Sequence, residues 1–319
     1  MNPPDSSSPP PAPGKLAARL SVLAAALMWS TSGLFAKAPL FGDWPTADRG
    51  LILAFWRAVF AALVLAPMIR RPKWNVRLVP MTICFTLMCV TYLTAMTRTT
   101  AANAIWLQAT SPWWTFLLAV LIFREPVARR ELIPLGFGVL GVAIILLFEL
   151  GIHTRDHTPD TVGVLCGLGA GVSYACVVLF MRRLRDQTSA WLIALNHAVA
   201  ALVMLPWVLH VGIRPSSAQL AVLACFGVFQ MAIPYVLVSR ALRTISSQEA
   251  IGICLIEPVL TPVWVLLWGE VPAPWTVAGA SLILVGLLLR YVVFEWIAAR
   301  GRQRTGAAMD AQKRPVVSQ

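Results

Sequence analysis

LIEPVLTPVW, residues 255–264, places a carboxylate and two prolines inside an apolar run. In a soluble core an unpaired Glu257 is costly, and Pro258 and Pro262 each remove a helical hydrogen bond. A bilayer changes that reading. There about twenty apolar residues make a crossing helix, and a carbonyl freed by proline persists where it faces protein or a water-filled cavity.

The rest of the chain places this segment in a membrane. Of 319 residues, 58% are hydrophobic and only 13% charged, and the mean hydropathy is +0.73. Soluble domains carry nearer a quarter charged residues. The net charge of +12 is not gathered on one domain, as nucleic-acid binding would require, but punctuates the apolar runs. The six cysteines all lie within such runs and are expected to be free packing residues. MNPPDSSSPPPAPG at the start is too rich in proline to build a core and is expected to be disordered. The run from Leu20 continues towards Phe35 without a small-residue cleavage site, so it is expected to be an uncleaved first helix.

Ten stretches have crossing length: 17–37, 50–69, 78–97, 102–123, 131–150, 161–181, 190–210, 217–239, 248–268 and 275–297. An even number puts both termini on one side. With that side inside, the inside segments hold nineteen Lys and Arg residues and the outside segments five, leaving Arg57 and Arg290 within spans. This asymmetry predicts cytoplasmic termini in a bacterial-type inner or plasma membrane.

The second half repeats the first. AMTRTTAANA (95–104) aligns with ALRTISSQEA (241–250) at a shift of 146, which also carries Pro112 onto Pro258. FREP (123–126) answers WGEVP (268–272), and RAVFAALVLAP (57–67) resembles HAVAALVMLP (197–206). Each half has five spans, an odd number, so the copies are expected to lie inverted, an arrangement common among secondary transporters. The expected fold is an all-α integral membrane protein of ten transmembrane helices in two inverted five-helix repeats. Its boundaries are a cytoplasmic tail (1–16), a first repeat (17–150), a second repeat (161–297) and a basic cytoplasmic tail (298–319).

These residues resemble the EamA-type transporters of the drug/metabolite transporter superfamily. The likeness rests on WSTSGLFAK (29–37), on Phe55-Trp56-Arg57, on a proline midway along spans four and nine followed by Glu125 and Glu270, and on Gly279 and Gly286. It covers nearly all of residues 20–295. The chain departs from the pattern at Arg124, where the family usually has Gly, and in the shorter spacing from Pro258 to Glu270. The resemblance implies a ten-helix carrier of metabolites, mostly exporters, with a cavity lined by spans 1, 3, 4, 6, 8 and 9. It also implies an architectural role for Arg57.

Among ionisable groups only Arg57, His197 and Glu257 fall deep within spans, where a lipid-facing charge is costly. Glu257 has two readings. It binds a cationic group or takes up a proton as the carrier alternates, or it is a packing residue, hydrogen-bonded to a neighbouring helix or paired with Arg57. His197, beside Asn196, is expected to make a helix contact. Ser246-x-x-Glu249 reads as a capping box, Glu125 and Glu270 as residues fixing the ends of hairpins, Glu149 and Glu295 as interfacial, and His153 and His157 as a solvated loop. The expected cavity set is Ser30, Ser32, Tyr92, Trp106, Gln108, Tyr174, Gln230, Tyr235, Glu257 and Thr261. Few polar anchors among aromatics suit small organic molecules. Trp113 and Trp114 fit either the pathway or the interface.

No Walker A loop or other nucleotide fingerprint is present, and no cofactor is expected. A membrane-embedded transferase needs clustered acids, bases or metal ligands, whereas this chain has no intramembrane Asp, no HExxH and no paired His. A channel needs a continuous hydrated path ringed by charges or carbonyls. The expected partners are the lipid bilayer, a small-molecule substrate and protons. Substrate, direction and oligomeric state are not written in the sequence.

Overall fold

The structure, a computed structural model, describes residues 14–69, 72–124, 131–151, 160–184, 186–294 and 296–297. Most of the N-terminal tail, the basic tail from 298, and Glu125, His153, His157 and Glu295 lie outside these residues. The described residues form ten helices long and apolar enough to cross a membrane. They are α1 (Lys15–Ala36), α2 (Thr46–Met68), α3 (Leu78–Arg98), α4 (Ala101–Ile122), α5 (Leu132–Gly151), α6 (Thr161–Arg183), α7 (Ser189–Val211), α8 (Ser217–Ala241), α9 (Glu249–Trp268) and α10 (Pro274–Val293).

Helix starts follow local chemistry. Thr100 accepts the Asn103 amide (3.1 Å) at the start of α4, Asp160 accepts that of Gly163 (2.9 Å) before α6, and Ser246 accepts that of Glu249 (3.2 Å) before α9. Only half of the expected capping box forms at α9. The Glu249 carboxylate turns away to pair with Arg19 on α1 (2.6 Å). A reciprocal box occurs instead at Ser216 and Gln219, ahead of α8. Asp48, placed before span two by the sequence, lies in the first turn of α2, where the helix dipole favours a negative charge.

The packing obeys the repeat. α3 lies along α6 as α1 lies along α8, and α4 packs on α6 as α9 packs on α1. α2 pairs with its own counterpart α7, and α5 with α10. Exchanging the two halves maps these neighbours onto one another. At the α5–α10 contact the backbones nearly touch: a Cβ added at Gly141 would lie 2.5 Å from the Gly279 carbonyl oxygen, and one at Gly279 2.6 Å from that of Gly141. Small residues permit such approach in a membrane, where packing rather than apolar burial drives association.

Candidate functional site

Four helices are interrupted within their spans, and the cause is local in each. Pro258 offers no N–H to the Cys254 carbonyl, and the first half of α9 ends at Cys254. Pro112 stands in the same relation to Gln108, where the first half of α4 ends. In α8 a π-helical turn, Val228–Ala232, precedes Pro234. Such turns accommodate an irregular ladder and occur often at functional sites. α1 breaks at Thr31 without a proline. There the hydroxyls of Ser30 and Thr31 bond back to Leu27 (2.7 Å) and Met28 (2.6 Å), competing with the backbone.

Glu257 begins the second half-helix of α9, so its carboxylate sits in a positive first turn. It is half-buried and, among the described residues, has no hydrogen-bond or ion-pair partner. Tyr92 on α3, Tyr174 on α6, Tyr235 on α8 and Cys254 on α9 lie within its electrostatic reach. Tyr291 on α10 joins the group through Tyr174. The chain has four tyrosines in all, and every one belongs to this group. Tyr174 is 39% exposed, and Tyr235 and Tyr291 are half-buried. Accessible surface on groups that converge from five helices marks an internal space.

The pairing of Glu257 with Arg57, one of its two bland readings, does not occur. Arg57 is 2% exposed and is the largest fully buried side chain. Its guanidinium lies over the Phe226 ring (5.3 Å) and faces the Gln230 amide oxygen (3.5 Å). Gln230 in turn donates to the Trp29 carbonyl (3.3 Å), so this cluster fastens α1, α2 and α8 together. His197 bonds through Nδ1 to the Ile193 carbonyl of its own helix (2.8 Å) and packs against Phe85 and Tyr235.

The other expected cavity residues divide. Ser32 shares a 2.7 Å hydrogen bond with the Tyr92 hydroxyl, at the edge of the tyrosine group. Ser30 is buried and accepts from the Trp264 indole (2.8 Å). Thr261 is buried and bonds back to the Glu257 carbonyl (2.9 Å), and Trp106 packs in the main core. Gln108 is half-buried at the α4 break. Trp113 fills the contact with Gly138 and Gly286, and Trp114 bonds to Thr110 (3.0 Å). Tyr291 and Trp264 were not expected here. Tyr291 lies near the end of an apolar span, where an aromatic ordinarily anchors to the interface.

One end of this space is shut. Where α1 finishes, Lys37 pairs with Glu270 and donates to the Thr99 carbonyl (2.7 Å). Glu270 also accepts the Ala101 amide (2.6 Å), so it joins α1, α4 and α9 rather than only fixing its own hairpin. Beneath this network a Cβ at Gly33 would lie 2.8 Å from Val265, 3.2 Å from Ala101 and 3.5 Å from Thr261. The Arg98–Asp160 pair (2.9 Å) ties α3 to α6 at the same end. Glu149, expected at the interface, is buried there and accepts from the Trp275 indole (3.0 Å). Among the described residues no three His, Cys, Asp or Glu side chains gather as a metal site.

Comparison with known proteins agrees with this architecture. The family model described as "EamA-like transporter family" matches twice, over residues 16–147 and 161–292. An uncharacterized transporter of Archaeoglobus fulgidus is 27% identical over 245 residues, which is 76% of this chain and 86% of that protein. An S-adenosylmethionine uptake transporter of Rickettsia prowazekii is 25% identical over 248 residues, 74% and 81% of the two chains. A solved crystal structure superposes with a TM-score of 0.59 at 15% identity, covering 88% of this chain and 99% of the other, a likeness of fold. With both halves matched, the chain is a member of the EamA-like transporter family.

Proposed function

We propose that the protein is a secondary transporter that moves a small organic molecule outward across a bacterial-type inner membrane by alternating access. The observation that carries this reading is the meeting of four interrupted helices around an unpartnered carboxylate at mid-span. Transporters use such breaks to aim half-helix ends at a cargo. The excess of Lys and Arg supports cytoplasmic termini, and with that orientation the shut Lys37–Glu270 end faces outward in this conformer. The outward direction follows from the family resemblance. The Rickettsia relative is named for uptake, so transport is measured both ways.

Proton exchange at Glu257 belongs to the same proposal. The titratable groups around it are Tyr92, Tyr174, Tyr235, Tyr291 and Cys254, contributed by α3, α6, α8, α10 and α9. The nearest fixed cation, Arg290 over the Tyr291 ring (5.6 Å), is paired with Glu131 (3.3 Å), so a proton or a positively charged cargo is what neutralises the carboxylate.

Proteoliposomes test the reading. Saturable counterflow of a labelled substrate is expected of a carrier, and a steady leak without counterflow would overturn it. Under an imposed pH gradient, unchanged coupling in Glu257→Gln would remove the proton from the scheme. Orientation is checked on whole cells: a cysteine at Asp43 should react with an impermeant maleimide, and one at Arg243 only after permeabilisation. The reverse pattern would invert the topology.

A further inference from the structure

The transporter reading leaves the cargo open, and the surroundings of Glu257 narrow it. Arg57 is sealed beneath Phe226 and Gln230 at 2% exposure and cannot offer its charge to a ligand. The groups that keep accessible surface are a carboxylate and the tyrosines 174, 235 and 291. The ring faces and hydroxyl oxygens of Tyr174 and Tyr235, like the carboxylate, present negative potential, whereas the Tyr291 ring already faces the Arg290 guanidinium (5.6 Å). A carboxylate without a partner inside the membrane also requires one positive charge to complete it.

Common metal cations fit poorly. Calcium and magnesium take six or more oxygen ligands, and among the described residues no clustered acids supply them. Sodium keeps a tight hydration shell that aromatic faces cannot replace. A weakly hydrated onium group bearing methyl groups or rings is suited to both elements, because aromatic cages hold such groups by cation–π attraction. A zwitterion has a second, negative end, and the cation nearest this group, Arg290 over the Tyr291 ring (5.6 Å), is already paired with Glu131 (3.3 Å).

Building on the transporter reading, we propose that the site takes a monovalent organic cation, its positive centre set against Glu257 and faced by Tyr174 and Tyr235, with an apolar or aromatic body. Glu257 sets the charge preference, and the tyrosines favour onium over alkali-metal ions. Tyr92 is the least available of the four, because it is 4% exposed and its hydroxyl is held by Ser32.

The test uses the full-length protein in detergent and calorimetric binding of phenyltrimethylammonium. The comparison ligands are dimethylaniline as the neutral counterpart, phenylalanine as a zwitterion, benzoate as an anion and sodium at matched ionic strength. The cation alone should bind. Glu257→Gln should weaken it by roughly thirtyfold or more, as loss of one member of a buried charge pair does. Tyr174→Phe should leave binding nearly unchanged, and Tyr174→Leu should weaken it by about threefold to thirtyfold. Because the ligand series uses the native protein, the proposal does not depend on the Glu257 variant folding. Equal binding of cation and dimethylaniline, tighter binding of phenylalanine or benzoate, or no cation binding at millimolar concentration would each overturn it. Counterflow separates the two levels of inference. Vesicles that exchange a neutral or zwitterionic compound but bind no cation refute the cargo class alone, whereas no counterflow with any compound refutes transport itself.

Discussion

Replacing Glu270 with Gln should open the shut end of the bundle. The carboxylate faces the Lys37 ammonium and accepts the Ala101 amide, and the two charged side chains are only 19% and 17% exposed. Gln keeps an acceptor for Ala101 but loses the charge, leaving Lys37 with the Thr99 carbonyl. A hydrogen bond between charged groups contributes about 1.5–3 kcal/mol. Partial exposure and the retained neutral bond reduce the expected loss to about 1–2 kcal/mol. That loss raises the open-to-closed ratio by roughly fivefold to thirtyfold. A reporter cysteine at Val265, fully buried and directly under Gly33, reads the ratio in a background without other cysteines. If opening is fast relative to labelling, the maleimide rate follows the open population. Both Glu270→Gln and Lys37→Met should accelerate labelling by that factor. Glu249→Gln, which breaks the more exposed Arg19 pair at the opposite end, should not. Unchanged labelling in both latch variants, with the protein still monodisperse, would refute the gate.

Two further outcomes concern the scaffold. Gly141→Ala sets a methyl group 2.5 Å from the Gly279 carbonyl oxygen, and a backbone atom cannot step aside alone, so α5 and α10 must part. Overpacking of this kind costs about 1–3 kcal/mol, read as a lower midpoint of thermal unfolding in detergent; an unchanged midpoint would mean the two helices are not tightly held. Arg124 ends the α4 helix at φ 52°, a left-handed conformation that disfavours L side chains. Arg124→Gly should stabilise the protein by about 1 kcal/mol, less the entropy Gly adds to the unfolded chain, and a lowered midpoint would contradict it.

How far the sequence could be read depended on whether a feature acts locally. A missing proline N–H disrupts its own helix, so the shared placement of Pro112 and Pro258 foretold interruptions in α4 and α9, and each first half-helix ends four residues before its proline. The left-handed turn is local too. Arg124 stands where the family carries Gly, and its counterpart Gly269 ends α9 at φ 76°. Partners distant in the chain were not legible. Lys37 and Glu270 are 233 residues apart, and no periodicity joins them. The two intramembrane charges invited each other as partners, but Arg57 found an aromatic ring and an amide instead. Thr261 and Trp106 were assigned to the right helices, yet a helix in a bundle has no purely polar face to show which side meets the cavity. Tyr291 was passed over because position along a span, rather than direction around it, was the only guide.

The two halves agree in the proline breaks of α4 and α9 and differ in their charge, and this difference separates two tasks. Alternating access by inverted repeats requires each half to adopt in turn the shape the other now holds. That requirement falls on backbone features: the prolines at 112 and 258, the left-handed turns at 124 and 269, and the close glycine contacts between α5 and α10. Cargo recognition carries no such constraint, because a ligand occupies one site in either conformer. Ser111 precedes Pro112 where Glu257 precedes Pro258. A second carboxylate at residue 111 would add a buried charge, and one monovalent cation could not neutralise both. Ser111→Glu therefore separates the two tasks: a single-cation site predicts weaker binding of phenyltrimethylammonium, whereas a site for a doubly charged cargo predicts tighter binding of a bis-onium compound. On the single-cation proposal the charge is single because the cargo's charge is single, while the proline breaks of α4 and α9 are paired because the motion is.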